Sequence, residues 1–89
     1  MKIKDGFVVE KVGGNYLAVA VGDRAEEVNA LIKMNATGVF LWNLMSDKDY
    51  DLDSLVRRTT EEYGIDASTA ENDIVKFVDK LRESGLLDE

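Results

Sequence analysis

Apolar and polar residues alternate in two short runs near the start of the chain, Phe7–Val12 and residues 16–21, with Gly13-Gly14-Asn15 between them. A period of two in Val- and Tyr-rich runs, broken by Gly and Asn, predicts a β-hairpin whose turn is Gly13-Gly14 or Gly14-Asn15. Either turn places Val8 and Val12 on one face with Leu17, Val19 and Val21. That face is expected to be the core face, with Phe7, Val9, Ala18 and Ala20 on the other. Residues 22–27 are polar and acidic and are expected to form a loop. The alternation returns in residues 28–34, a third strand in which Val28, Ala30 and Ile32 oppose Asn29, Leu31 and Lys33.

The period then changes. From Asn35 onward, Val39, Phe40, Leu41, Trp42, Leu44 and Met45 are apolar around most of a helical circumference, the pattern of a buried helix. Asn35 is a suitable N-cap, because its side-chain oxygen can accept a backbone N–H from the first turn. Residues 30–45 therefore form the centre of the chain, an edge strand leading into a central helix. Residues 46–51 break that helix. Asp51 caps a second one, Leu52–Tyr63, with Leu52, Leu55, Val56, Thr59 and Tyr63 on one stripe and Gly64 as its C-terminal glycine. Asp66 caps a third over residues 67–84, where Ala70, Ile74, Phe77 and Leu81 fall within about 60° of arc. Gly85 ends it, and Leu86-Leu87 are expected to fold back on the core. The expected fold is one α+β domain over residues 1–89, a three-stranded antiparallel sheet followed by three helices (βββααα), similar to a winged helix-turn-helix.

Composition narrows the function. The chain has no Cys and no His. It therefore lacks a thiolate nucleophile, the commonest metal ligand and the usual general base. Asp47, Asp49, Asp51 and Asp53 begin like a calcium loop, but the sixth position is Leu52 and the twelfth Arg58, so they are read as a solvated, capping turn. Glu61 and Glu62 are adjacent on a helix and point to different sides, not into a catalytic dyad. No enzymatic activity, cofactor or metal is expected. The net charge of −7 disfavours nucleic acid and anionic membranes, and the third helix sets Lys76, Lys80 and Arg82 against Glu71, Asp73, Asp79 and Glu83. The longest apolar run, residues 16–21, is far short of the roughly 20 residues of a membrane span. No signal-peptide pattern follows the first lysines, so a cytoplasmic location is expected.

A peptide-binding edge remains. An edge strand leaves backbone N–H and C=O groups that an extended peptide can complete as a further strand. A helix with apolar residues beside its core stripe would supply the other wall. On the third helix Val78 lies at the stripe's margin and Val75 well outside it, with Glu71 and Arg82 on the same flank. The same edge could instead pair with a second copy, making the protein a structural or homodimerising subunit.

The residues Met34-Asn35-Ala36-Thr37-Gly38-Val39-Phe40-Leu41-Trp42 resemble the Leu-Asn-x-Thr-Gly-x-x-(apolar)-Trp signature of the PqqD family of coenzyme PQQ synthesis proteins, with Met34 in place of the first leucine. The likeness continues through Asp51-Leu52-Asp53-Ser54-Leu55, Glu61-Glu62-Tyr63-Gly64 and Leu81-Arg82-Glu83-Ser84-Gly85-Leu86-Leu87. Asn35, Gly38 and Trp42 are read as structural: a cap, a close approach and a core anchor. The resemblance implies a RiPP recognition element. Such a protein binds the leader of a ribosomally made precursor peptide between its third strand and third helix and presents it to a maturase, a radical SAM enzyme in the PQQ pathway. It further implies that the leader pairs with Val28, Asn29, Ala30, Leu31 and Ile32 and packs on Val75 and Val78, with Glu71 alongside and Arg82 facing a leader carboxylate.

Overall fold

The computed structural model describes residues 1–27 and 31–88. In chain order these form β1 (Lys2–Ile3), β2 (Phe7–Val12), β3 (Asn15–Ala20), α1 (Arg24–Glu27), β4 (Leu31–Met34), α2 (Ala36–Asp47), α3 (Leu52–Tyr63), α4 (Ala67–Glu83) and β5 (Leu87–Asp88). Strands β2, β3 and β4 make an antiparallel sheet in that order, and β1 pairs with β5 in a separate two-stranded ribbon. The architecture is α+β with the expected three-stranded sheet. The described residues hold four helices rather than three, because the stretch expected as a loop closes one turn, α1. Its backbone is held by Ala25 N–H on Gly22 O and Glu26 N–H on Asp23 O, and Arg24 Nε donates to Asp5 O at 2.8 Å.

The hairpin turns at Gly13-Gly14, with Val12 opposite Asn15 and Gly13 at φ +63°, a conformation that a residue with a Cβ rarely adopts. The face it buries is the reverse of the one expected. Ala18 is fully buried, and Phe7, Val9 and Tyr16 pack against the core. Val8 and Val12 are 41% and 55% exposed, and Val21 is exposed beyond the strand end. Both faces are apolar, so alternation alone could not choose between them. Packing chooses. Ala18 lies between Val9 and Ile32 in the register, and its small side chain lets the helical layer approach the sheet. At the end of the same face Phe7 meets the Trp42 ring edge-on, 6.0 Å between centroids, an arrangement worth about 0.5–1.5 kcal/mol beyond the area buried.

The helices follow their local signals closely. Gly38 N donates to Asn35 Oδ1 at 2.9 Å, and Ser54 N donates to Asp51 Oδ1 at 2.8 Å. Asp66 accepts from Ser68 N and Thr69 N. These bonds favour the ionised caps. The Ser54 backbone N–H holds the Asp51 carboxyl below the usual aspartate value of 3.8, and the Thr69 hydroxyl, then its N–H, does the same for Asp66. Gly64 ends α3 in the left-handed region. Leu41, Trp42 and Met45 of α2 interlock with Leu55 of α3, with Ala70, Ile74 and Leu81 of α4, and with Ile32 and Met34 of the sheet.

Leu86 and Leu87 fold back and are buried, as expected. They arrive as a strand pair with β1 that has no counterpart in the sequence reading. Lys2 lies opposite Asp88 and Ile3 opposite Leu87. The Met1 ammonium binds Asp49 and donates to Tyr50 O, and Tyr50 N–H returns to Met1 O at 3.0 Å.

Candidate functional site

Strand β4 is the last in its sheet. Among the described residues no strand lies on its far side, so that edge carries backbone groups without ladder partners, a template for a visiting strand. One of them is taken by a side chain: Lys80 of α4 donates its ammonium to Lys33 O at 3.0 Å. The contact places α4 alongside the edge.

Between them lies an open hollow of about 350 Å³. Lys33 and Met34 of β4, Asn35, and Thr37, Gly38 and Leu41 of α2 form one side; Asp73, Lys76, Phe77 and Lys80 of α4 form the other. Gly38 fixes how closely α2 approaches. A Cβ there would stand 3.1 Å from Met34 Cβ and 3.4 Å from the Phe77 ring, which holds β4, α2 and α4 together at the hollow's floor. Phe77 is half-buried and packs on the core.

The residues expected at the site are divided by this geometry. Val28, Asn29 and Ala30 lie outside the described residues. Leu31 and Ile32 are in β4, with the Ile32 side chain buried in the core, so Ile32 can offer a visitor only its backbone. Val75, Val78 and Arg82 gather on the opposite flank of α4, in a separate hollow of about 260 Å³ with Met1, Leu52 and Asp79. At 3.6 residues per turn Val75 and Lys80 stand about 140° apart around the helix. Val75 is 39% exposed, whereas Val78 is 4% exposed and part of the core. Arg82 is already paired with Asp79 at 3.1 Å, and Glu71 is exposed outside both hollows. The helical wall at the β4 edge is therefore Asp73, Lys76, Phe77 and Lys80. The signal for them was present: Phe77 lies at the stripe's other margin, and Lys76 and Lys80 at i and i+4 share a face.

Among the described residues, the site is an unpaired edge strand beside a long helix. The chain belongs to the PqqD family: the family model, described as coenzyme PQQ synthesis protein D (PqqD), matches residues 23–87. Its fold is shared with a solved structure described as TbiB1 in complex with the TbiA(beta) leader peptide, at a TM-score of 0.70 and 23% sequence identity, over 99% of this chain and 95% of that one. No curated protein matches the sequence. No helix among the described residues is long and apolar enough to cross a membrane.

Proposed function

We propose that this chain is a non-catalytic RiPP recognition element, which captures the leader of a ribosomally synthesised precursor peptide and presents it to a cytoplasmic maturase of the radical SAM class. The observation that carries this reading is the open β4 edge with α4 beside it. Family membership supports it, as does the shared fold of TbiB1, a protein seen with a leader peptide. The leader adds to the sheet as a strand along β4, and its side chains alternate between solvent and the hollow lined by Phe77. In this reading the β2–β3 hairpin and α2–α4 form a variant of the winged helix-turn-helix, with the wing and last helix used for peptide rather than DNA.

Each strand hydrogen bond contributes about 0.5–1.5 kcal/mol net, and each apolar side chain buried in the hollow about 1–2 kcal/mol. Ordering a flexible leader costs about 2–5 kcal/mol. Association also costs about 4–15 kcal/mol of translational and rotational freedom, so micromolar affinity, about −8 kcal/mol, requires several of each.

The test is a titration of isotopically labelled protein with a synthetic leader from a precursor gene beside its own, followed by amide shifts. Shifts along Leu31–Met34 and at Lys76, Phe77 and Lys80 are expected. Shifts confined to the Val75 flank, or none at saturating peptide, would overturn strand addition. Shifts in β4 that grow with protein concentration alone would instead assign the edge to a homodimer.

A further inference from the structure

We infer that the leader is acidic at one position: it carries a carboxylate beside the residue that pairs with Lys33, and Lys76 and Lys80 receive that carboxylate. This rests on the proposed strand addition at β4. The argument starts from the contact between Lys80 and Lys33 O at 3.0 Å. An incoming strand that donates its own N–H to that oxygen competes with the ammonium already there. A displaced ammonium must be re-solvated or find a new acceptor, and a carboxylate on the incoming strand is the strongest one such a strand can bring.

The neighbourhood is suited to that exchange. Lys76 stands one turn before Lys80 on the same side of α4, close enough for both to reach one anion. The hollow they line contains one carboxylate, Asp73, against three ammoniums, Lys33, Lys76 and Lys80. The chain has 18 acidic and 11 basic residues, net −7, whereas this strip is locally basic. The net negative charge disfavours an acidic peptide in general, so a carboxylate held by these lysines would set the strand's register. Phe77, between the two lysines in sequence and half-buried in the hollow's floor, offers an apolar contact to the adjoining leader side chain. The recognised element is thus an acidic residue next to an apolar one within an extended segment. Both lysines are exposed, so their replacement spares the core.

The experiment selects a displayed library of random twelve-residue peptides on the full chain, then repeats the selection on Lys76→Met/Lys80→Met. Selected peptides are expected to share Asp or Glu at one fixed position. Changing that residue to Asn or Gln is expected to weaken binding about tenfold on the parent and less than twofold on the double variant. Lys76→Gln/Lys80→Gln, which removes both charges and keeps amide donors on this flank, is expected to behave like the double methionine variant and serves if that variant does not fold. Peptides that shift the Leu31–Met34 amides without an acidic preference would overturn the inference and leave strand addition standing. An acidic preference that persists in the lysine variants would overturn it as well. Selected peptides that leave the β4 amides unshifted would overturn both readings.

Discussion

The ammonium of Lys80 and the carbonyl oxygen of Lys33, 47 residues apart in sequence, meet at 3.0 Å across the space between the last long helix and the sheet's open edge. A lysine on an exposed edge is a recognised guard against unwanted strand pairing. Here it comes from a neighbouring helix rather than from the strand, so it can swing away without disturbing the sheet. Lys80→Met is expected to raise the dimer fraction severalfold at the same protein concentration, as measured by sedimentation velocity. An unchanged fraction would remove the guarding role.

Val75 separates the two flanks of α4. It is partly exposed and lines the hollow beside Met1 and Leu52, away from β4. Val75→Asp is expected to change stability by less than about 0.5 kcal/mol and to leave leader affinity unchanged in calorimetric titration. A tenfold loss of affinity with stability intact would move the binding wall back to the Val75 flank.

Gly38 sits where a helix-favouring alanine would ordinarily help by about 0.5–1 kcal/mol. The space is tight: the added methyl would meet Met34 Cβ, an atom fixed to the backbone of β4, at 3.1 Å. Gly38→Ala is therefore expected to destabilise by about 1–2 kcal/mol net and to shift the β4 amides. A raised melting temperature would show that the strand yields.

The reversed hairpin face has its own test. Ala18→Leu is expected to cost about 1–3 kcal/mol by overpacking, whereas Val12→Thr is expected to stay within about 0.5 kcal/mol. Chemical denaturation of both variants measures the difference, and equal losses would put Val12 back in the core.

The two aspartate caps predict an acid limb. Their carboxyls titrate below 3.8 in the folded protein. A depressed folded value means that the stabilisation is present above the unfolded value and is lost as pH falls through the folded one. Asp51→Asn/Asp66→Asn keeps a capping oxygen at each site without its charge. Below about pH 4 its stability is expected to fall less steeply with pH than the parent's. Parallel acid limbs in thermal melts would assign the sensitivity to other carboxylates.

What was legible in the sequence was local. Asn35, Asp51, Asp66 and Gly64 announced helix ends because caps act within three or four residues, and the bounds of α3 followed directly. The cap role of Asn35 was legible for the same reason, whereas Gly38 and Trp42 were read with the family resemblance, since a close approach and a core anchor depend on distant partners. The sheet's buried face was not, because Val8, Val12, Leu17 and Val19 are as apolar as Phe7, Val9, Ala18 and Ala20, and only the contacts of Ala18 and Phe7 with the helices decide between them. Strand β1 was not legible either, since a two-residue strand has no pattern apart from its partner at Leu87–Asp88. Of the proposed site, the strand was legible and the facing helix surface was not. The open edge followed from strand order, but which flank of α4 turns toward it depends on the helix's rotation over the core, set jointly by Ile74, Val78 and Leu81.

The pairing of Lys2 with Asp88 sets these two residues side by side, about 5 Å apart as antiparallel neighbours. A few glycines would join them. The hairpin tip at Gly13-Gly14 is exposed, and a Cβ at either position would meet nothing within 4 Å. New termini opened there would yield a circular permutant that keeps every strand pair and leaves the β4 edge unencumbered, a ready frame for splicing this domain into a loop of another protein.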